Sequence, residues 1–199
     1  MFVIVRHGNT FAAGEAPRRI GARTDLPLTE AGQAQAEALG RLFVARGWHF
    51  GRALVSPLQR TRLTARLILA AQPGSPPEPE LCDWLREVDH GPDEDKDEAM
   101  VLARIGADAL QAWDSAALAP PGWTVDAPAR RAAWQRLFAG PPLDRPTLVV
   151  TSNGAARFAL QAEGLDGLPP QLKLPTGGYG VVRRGEHGRL VVEGWGLRP

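Results

Sequence analysis

Short apolar runs alternate with helical patterns in the first third of the chain. The run at residues 2–5 is mostly β-branched, which is typical of a buried strand. Thr29 precedes an apolar spacing typical of a helix that ends before Gly47, and residues 53–55 predict a second strand. A further helix is predicted to end near Ala71. Strands and helices that alternate in this way indicate an α/β fold.

The start of this second helix carries a local signal. Ser56 is predicted to cap it, Pro57 fits the first helical position, and Gln59 completes a capping box. Arg60 therefore lies in the first turn, near the positive end of the helix dipole. An anion is already favoured at such a position.

The middle of the chain lacks an obvious buried strand. Residues 72–80 contain four prolines, so we expect neither regular helix nor strand there. Two helical patterns follow, at residues 97–114 and 128–139. We therefore expect residues 72–146 to form a helical insertion within a single domain that spans residues 1–199.

The last third of the chain returns to strand patterns. A strand at residues 147–151 leads through Ser-Asn-Gly at 152–154 into a helix predicted from about residue 155 to 163. Two further strands are predicted near residues 179–183 and 190–192, with a turn at 185–188 between them.

Three predicted strand-to-helix junctions carry polar residues. They are Arg-His-Gly at 6–8, Ser56 with Arg60, and Ser-Asn-Gly at 152–154. In a parallel sheet with right-handed crossovers, these junctions open on the same edge, where ligands bind in α/β sheets. This edge would carry a cation at Arg6, an ionisable imidazole at His7 and a flexible backbone at Gly8. Such a combination favours a reaction on an anionic substrate.

Composition and charge limit the classes of protein to which the chain can belong. The 199 residues are 44% hydrophobic and 23% charged, which is ordinary for a soluble globular protein. A net charge of +1 creates no global field for nucleic acid or an anionic membrane. The single cysteine, Cys82, excludes an internal disulfide and a multi-cysteine metal site. No leader pattern and no membrane-spanning apolar stretch occur, so we expect a soluble, cytoplasmic protein.

Five ordered motifs resemble those of the histidine phosphatase superfamily, which contains cofactor-dependent phosphoglycerate mutases and many small phosphatases. They are Arg-His-Gly-Asn-Thr at 6–10, Asp-Leu-Pro-Leu-Thr-Glu-Ala-Gly-Gln-Ala-Gln-Ala at 25–36, Ser-Pro-Leu-Gln-Arg-Thr at 56–61, Leu-Arg-Glu-Val-Asp-His-Gly at 85–91 and Leu-Val-Val-Thr-Ser-Asn-Gly at 148–154. The insertion at residues 72–146 matches the family pattern poorly. The resemblance implies a three-layer α/β/α sandwich with a mostly parallel central sheet and a helical insertion over the active-site edge.

The resemblance also implies roles for individual residues. His7 would be the nucleophile that takes the phosphoryl group onto a ring nitrogen, and Arg6 and Arg60 would clamp the phosphate oxygens. Glu87 would protonate the leaving alcohol. Asn9 could donate its side-chain amide to the same phosphate. We expect no metal and no other cofactor, because arginine charge takes the place of a cation.

The acidic segment after Glu87 departs from the usual pattern. Glu94 is the reserve candidate for the acid, and the carboxylates at residues 93–98 are expected to raise the pKa of whichever glutamate acts. Trp84, Trp113 or Trp123 could line the mouth of the site. The remaining histidines lack partners at ligand spacing and are expected to be structural: His49, His90 and His187.

The last motif also departs from the pattern, because Asn153 stands where active members carry histidine. An amide offers a hydrogen bond without a charge, which would cost roughly 1.5–3 kcal/mol of phosphate binding. If the lost contact tightens in the transition state, the rate would fall by about 10²–10³-fold. Losing a nearby cation would also make His7 easier to protonate and shift the pH optimum toward alkaline values.

Two functions follow from these features. The first is a metal-independent phosphomonoester hydrolase that acts through a phosphohistidine, with activity reduced by Asn153. The second is a catalytically inactive phosphate-binding or interaction protein with the same fold. A phosphoglycerate mutase is less favoured, because 199 residues leave little room for the longer insertions of dedicated mutases. The expected partner is a small phosphorylated substrate or inorganic phosphate, and the patterns assign no oligomeric state.

Overall fold

The computed structural model describes residues 1–185 and 188–199, which form an α/β fold as predicted. His187 and part of the predicted turn at 185–188 lie outside the described residues. The strands are β1 Phe2–Arg6, β2 Arg52–Val55, β3 Pro79–Leu81, β4 Thr147–Thr151, β5 Leu165–Asp166, β6 Tyr179–Arg184 and β7 Leu190–Leu197. The α-helices are α1 Glu30–Ala45, α2 Gln59–Ala70, α3 Glu98–Ala116, α4 Ala127–Ala139 and α5 Asn153–Ala156.

The sheet places β1 at its centre, in the order β3-β2-β4-β1-β6-β7-β5. β6 is antiparallel to β1 and β7, while β1, β2, β3 and β4 are parallel where they pair, and β5 is parallel to β7. The expected mostly parallel sheet is confirmed. Because β1, β2 and β4 run in the same direction, the three polar junctions that follow them open on one edge.

Two hydrophobic layers cover the two faces of the sheet, because side chains alternate along each strand. Val3 and Val5 pack on the face covered by α1 and α2, whereas Phe2 and Ile4 pack on the face covered by α3 and α4. Fully burying one such side chain stabilises the fold by about 1.5–3 kcal/mol. The expected three-layer sandwich is therefore confirmed.

The first turn of α1 packs directly on the loop that follows β1. Thr29 caps the helix by accepting a hydrogen bond from the Gly32 N–H at 3.1 Å, as predicted. A Cβ atom on Gly8 would overlap the carbonyl of Gly32, and one on Gly32 would overlap the carbonyl of Asn9. These two glycines therefore let the helix approach closely enough to hold the loop around His7.

The start of α2 differs from the prediction. The helix begins at Gln59 after Leu58, and Ser56 is not its N-cap. Instead, the carboxylate of Asp25 accepts a hydrogen bond from the Gln59 N–H at 2.9 Å. The predicted capping box is wrong because a carboxylate from a distant loop satisfies the helix terminus.

The middle of the chain follows the predicted pattern with one exception. α3 and α4 confirm the two helical patterns, but residues 79–81 form the strand β3, parallel to β2, where no strand was expected. Proline is tolerated there because Pro79 is the first residue of a strand at the sheet edge.

The helix after β4 is shorter than predicted. α5 ends at Ala156, and the chain continues as a 3₁₀ helix over Arg157–Gln161. The tighter turn accompanies the Arg157 side chain, which folds back to donate a hydrogen bond to the Trp113 carbonyl. Within the described residues, no helix is both long and apolar enough to cross a bilayer.

Candidate active site

His7 lies just past the carboxyl end of β1 and is 3% exposed. Its backbone N–H donates to the Thr151 carbonyl of β4 at 3.1 Å, which ties it to the neighbouring strand. Its ring Nδ1 lies 2.8 Å from the Gly8 carbonyl oxygen. A carbonyl can only accept, so Nδ1 carries the proton and Nε2 keeps a free lone pair. This tautomer makes Nε2 the nucleophilic atom of the ring.

The surroundings of His7 keep its ring neutral. Burial, followed by the nearby guanidinium groups of Arg60 and Arg6, lowers the pKa of His7 well below its ordinary value, and the bond to the Gly8 carbonyl only partly opposes this. The expectation that mild acid protonates this ring is wrong, because burial and two cations disfavour a further positive charge. The nucleophile is therefore available across mildly acidic and neutral pH.

A cavity of about 680 Å³ opens over His7. It brings together most of the predicted site residues, which come from three separate segments of the chain: Arg6, His7, Asn9, Glu87 and Asn153. Of the three candidate tryptophans, Trp113 lines the cavity; Trp84 and Trp123 are not among the described lining residues.

Sequence reasoning missed several cations on the cavity wall. Arg18 and Arg19 come from the loop after β1, and Lys173 and Arg198 come from the C-terminal third. The arginine-rich composition of the loop was a weak signal for the first pair. No motif marked the second pair, because their position depends on how distant segments fold back to this edge.

Arg6 and Asn153 are linked through one backbone unit. The Nη1 of Arg6 donates to the Leu174 carbonyl at 2.8 Å, and the Leu174 N–H donates to Oδ1 of Asn153 at 2.9 Å. Burial lowers the pKa of Arg6 to about 10, so the guanidinium stays charged at neutral pH. Because Leu174 occupies the oxygen of Asn153, the amide NH₂ of Asn153 remains to donate toward a ligand.

Asn9 is held through its backbone. Its N–H donates to the side-chain oxygen of Gln35 at 2.9 Å, and its carbonyl accepts from the Thr29 N–H at 3.0 Å. None of the hydrogen bonds between described residues uses the Asn9 side-chain amide, which lies at the cavity. The amide is thus in position to donate to an anion, as the motif implied.

Arg60 lies deeper than the sequence suggested. Its side chain is fully buried, with Nη1 donating to the Thr24 carbonyl at 2.8 Å and Nη2 donating to the Gly21 carbonyl at 3.1 Å. Arg60 is not among the described residues that line the cavity. In this structure it braces the loop at residues 21–24 and places positive charge near His7, without reaching the cavity surface.

Glu87 is held by two backbone N–H groups. Its Oε1 accepts from the Val88 N–H at 2.9 Å and its Oε2 accepts from the Gly154 N–H at 3.1 Å. Burial alone raises its pKa, but His90, the two N–H groups and Arg60 outweigh burial and lower the pKa below its ordinary value. The expected raised pKa is wrong, because these groups favour the charged form more than burial disfavours it.

Gly154 has to be glycine for this arrangement. A Cβ atom there would overlap the Glu87 carboxylate, so the backbone N–H could not reach Oε2. The glycine after Asn153 therefore serves to seat Glu87 against the start of α5.

Glu94 serves as a brace. Its carboxylate accepts from the Gly21 N–H at 2.9 Å, the Arg23 N–H at 3.0 Å and the Thr24 hydroxyl at 2.8 Å. Burial raises its pKa, but the His90 side chain, the Thr24 hydroxyl and the His90 N–H lower it to about 2. Glu94 is not among the described cavity residues, and it fixes the loop whose carbonyls bind Arg60.

His90 has a different position from the one expected. It is 5% exposed, and its ring lines the cavity together with His7 and Glu87. The ring packs edge-on against Trp123, with 4.4 Å between centroids. His49, by contrast, lies before β2, at the opposite edge of the sheet.

No metal centre is evident in the described ranges. Across residues 1–185 and 188–199, no three His, Cys, Asp or Glu side chains converge as metal ligands would. The residues that line the cavity with His7 include the guanidinium group of Arg6, the amides of Asn9 and Asn153 and the carboxylate of Glu87.

Comparison with known proteins identifies the family of the chain. Residues 2–196 match the model of the histidine phosphatase superfamily, branch 1. A 2,3-bisphosphoglycerate-dependent phosphoglycerate mutase from Rhizobium etli is 34% identical over 119 residues, which is 60% of this chain and 56% of the relative. The chain thus spans about half the length of the curated relatives it matches.

Solved structures share the fold along the whole chain. A mycobacterial glucosyl-3-phosphoglycerate phosphatase superposes with a TM-score of 0.76 at 22% identity, covering 100% of this chain and 99% of that one. The complex of that phosphatase with inorganic phosphate gives a TM-score of 0.71 at 22% identity, with 99% and 97% covered. At this identity the likeness establishes the fold alone.

Proposed function

The chain belongs to the histidine phosphatase superfamily, branch 1, and on that premise we propose that it hydrolyses phosphomonoesters through a phosphohistidine at His7. The observation that carries this proposal is the Nδ1 contact of 2.8 Å to the Gly8 carbonyl, which leaves Nε2 as a lone-pair nucleophile at a cavity. The substrate is a small phosphorylated molecule, and no metal is required.

In the first step, Nε2 of His7 attacks phosphorus, the bond to the alcohol oxygen breaks, and the leaving oxygen takes a proton from the Glu87 carboxyl group, which the second step restores. The Arg6 guanidinium and the amide NH₂ groups of Asn9 and Asn153 hold the phosphoryl oxygens. Arg60 contributes buried positive charge near His7, and charge fixed in a buried site stabilises the developing negative charge without rearranging.

In the second step, water attacks the phosphohistidine and releases inorganic phosphate. An ionised carboxylate suits this step, because it can accept the proton that the attacking water loses. The lowered pKa of Glu87 and its position at the cavity support this role.

Asn153 replaces the second histidine of the family motif, and we propose that this reduces turnover. Its amide donates one hydrogen bond to the phosphoryl group and supplies no charge. The neighbouring cation Arg157 is buried and bound to the Trp113 carbonyl, so it does not replace the missing contact at the cavity surface.

Residues 72–146 are proposed to select the substrate as an insertion within one domain. Leu110, Trp113 and Asp114 of α3 line the same cavity as His7, and together they offer an apolar surface and a carboxylate. A substrate whose alcohol part has both apolar and polar groups fits this wall.

The experiment that tests the proposed function measures phosphate release in the presence of a chelator. The chain should release inorganic phosphate from p-nitrophenyl phosphate and from an alkyl phosphate, and chelation should leave the rate unchanged. Binding of phosphate without release from either ester would favour the alternative, an inactive phosphate-binding protein. Transfer of the phosphoryl group between positions of one substrate, without release, would indicate a mutase.

Replacing Asn153 with histidine should raise kcat by about 10²-fold, because a charge-assisted donor would then contact the phosphoryl group in the transition state. Steady-state kinetics on both proteins measure this effect. If Asn153→His turns over no faster than the parent chain, the asparagine is not the cause of any low activity.

The kcat of the parent chain should stay level as the pH falls from about 7 to about 5.5. The sign follows from His7: a pKa lowered well below the ordinary value keeps the ring neutral, and thus nucleophilic, on the acid side. A kcat profile is the suitable measurement, because kcat/KM also reports the ionisation of the free substrate. A steep loss of kcat over this interval would contradict the assignment of a neutral His7.

A further inference from the structure

Arg157 is a buried cation close to the position where asparagine replaces histidine in the last motif. It follows Asn153 by four residues, where α5 gives way to the 3₁₀ helix, and its side chain is fully buried. Burial lowers its pKa to about 10, so the guanidinium stays charged at neutral pH. The sequence motifs assign it no role. A role for this charge presupposes the proposed function.

The guanidinium of Arg157 joins two parts of the cavity wall. Nε donates to the Asn153 carbonyl at 3.5 Å, and Nη1 donates to the Trp113 carbonyl. The guanidinium also stacks on the Trp113 ring, with 4.0 Å between Cζ and the ring centroid. Asn153 and Trp113 both line the cavity. Arg157 therefore connects the phosphate-binding end of the cavity to α3 from within the protein interior.

The charge of Arg157 is only partly compensated. Nη2 lies 3.6 Å from Oδ1 of Asp114, beyond the length of a hydrogen bond, and the Asp114 side chain is 58% exposed. Nη2 is buried and has no hydrogen-bond partner among the described residues. A buried charge without a close partner destabilises a fold, whereas an anion in the neighbouring cavity would compensate it. The arrangement therefore favours a role in anion binding.

The charge of Arg157 also reaches the cavity-lining groups. Burial lowers the pKa of Arg6, Glu87 raises it, and Arg157 lowers it further. For Arg157 itself, burial lowers the pKa, Glu87 and Asp114 raise it, and Arg19 lowers it. Interactions between buried charges are screened little by solvent. A phosphoryl group held by Arg6 would therefore experience this charge, although Arg157 is not among the described residues that line the cavity.

We propose that Arg157 is a positioning residue that supplies the positive charge that Asn153 lacks. It holds the backbone of Asn153 and places a fixed cation one helical turn away, without a hydrogen bond to the phosphoryl group. Charge fixed in a buried site stabilises the negative charge that develops in the transition state. No bond forms or breaks at Arg157, so it stays charged through both steps.

The test compares Arg157→Gln in two backgrounds. In the parent chain, kcat with p-nitrophenyl phosphate should fall by about tenfold, because one buried charge near the phosphoryl group is lost. In Asn153→His, where the imidazole supplies charge directly, the same substitution should cost less than about threefold. Equal losses in both backgrounds would assign Arg157 a structural role and overturn the proposal.

Arg184→Gln is the matched control. Arg184 is a partly buried arginine whose Nη2 also donates to two backbone carbonyls, those of Phe138 and Gly140. It lies at the end of β6, at the opposite edge of the sheet from the cavity. This variant should keep the kcat of the parent in both backgrounds, because only the charge next to Asn153 acts on the phosphoryl group.

Arg157→Lys separates charge from packing. Lysine keeps a cation but cannot reproduce the planar guanidinium, so this variant and Arg157→Gln should both have a lower Tm than the parent. At about pH 6, Arg157→Lys should nevertheless keep kcat within roughly threefold of the parent, because its ammonium is protonated. At higher pH, burial favours the neutral amine, so kcat should decline more steeply than in the parent.

The Arg157→Lys profile also carries the test if Arg157→Gln does not fold. A kcat at about pH 6 that falls by tenfold or more, or an alkaline profile parallel to that of the parent, would overturn the role of Arg157. Either result leaves hydrolysis through His7 intact. Absence of turnover by the parent chain would instead remove the proposed function, and the role of Arg157 with it.

Discussion

Replacing His7 with alanine reduces hydrolysis of both an alkyl phosphate and p-nitrophenyl phosphate by about 10⁴-fold or more, since removing a covalent nucleophile has effects of this size. No other described residue of the cavity offers a neutral imidazole whose Nδ1 is fixed by a carbonyl. The loss should therefore be independent of the leaving group. Steady-state rates on the two substrates measure it.

The His7 variant should still bind inorganic phosphate. Arg6 and the amides of Asn9 and Asn153 remain in place, because the backbone contacts that hold them do not involve the His7 ring. Calorimetric titration with phosphate checks this point, and His49→Ala serves as the control for loss of an imidazole elsewhere. Hydrolysis by His7→Ala at more than a few hundredths of the parent rate would mean that another group carries the phosphoryl transfer.

Replacing Glu87 with glutamine should lower kcat by about 10²–10³-fold and cause the phosphoenzyme to accumulate. An amide cannot take the proton of the attacking water, so the second step slows while the first proceeds. With p-nitrophenyl phosphate, the variant should release one p-nitrophenol per active site in a rapid burst. Quenched-flow measurement of that burst is the check.

The Glu87 variant also has a structural cost. Both carboxylate oxygens accept backbone N–H groups, so the amide NH₂ of glutamine would face either Val88 or Gly154 as donor against donor. We expect a loss of about 1–3 kcal/mol in the free energy of unfolding. Glu37→Gln, an exposed residue of α1, is the control for the charge change. Slow turnover without a burst or phosphoenzyme would contradict the role of Glu87 in the second step.

Local patterns predicted the parts of the fold that depend on neighbours in sequence. β1, β4 and the N-cap at Thr29 follow from apolar runs and capping chemistry, and the shared edge follows from parallel connections. The start of α2 did not follow, because Asp25 reaches it from a loop 34 residues earlier in the chain. A capping partner this distant leaves no local signature.

The direction of the pKa shifts in the site was harder to predict from the sequence than the identity of the site residues. The acidic run at residues 93–98 suggested that carboxylates would raise the pKa of the acid, yet the folded chain surrounds Glu87 and Glu94 with N–H groups and cations. His90 lay within a recognised motif, but its place on the cavity wall depends on how that segment folds. Such facts depend on three-dimensional packing that spacing alone does not encode.

Covalent phosphorylation of His7 is the defining step of the proposed mechanism, and it can be detected directly. The parent chain and Glu87→Gln are mixed with p-nitrophenyl phosphate, quenched in alkali, which preserves phosphohistidine, and digested for mass spectrometry. We expect one phosphoryl group on the peptide that contains His7, at higher occupancy in Glu87→Gln and absent from His7→Ala. Turnover with the peptide unmodified in both proteins, or a phosphoryl group on another residue, would contradict it.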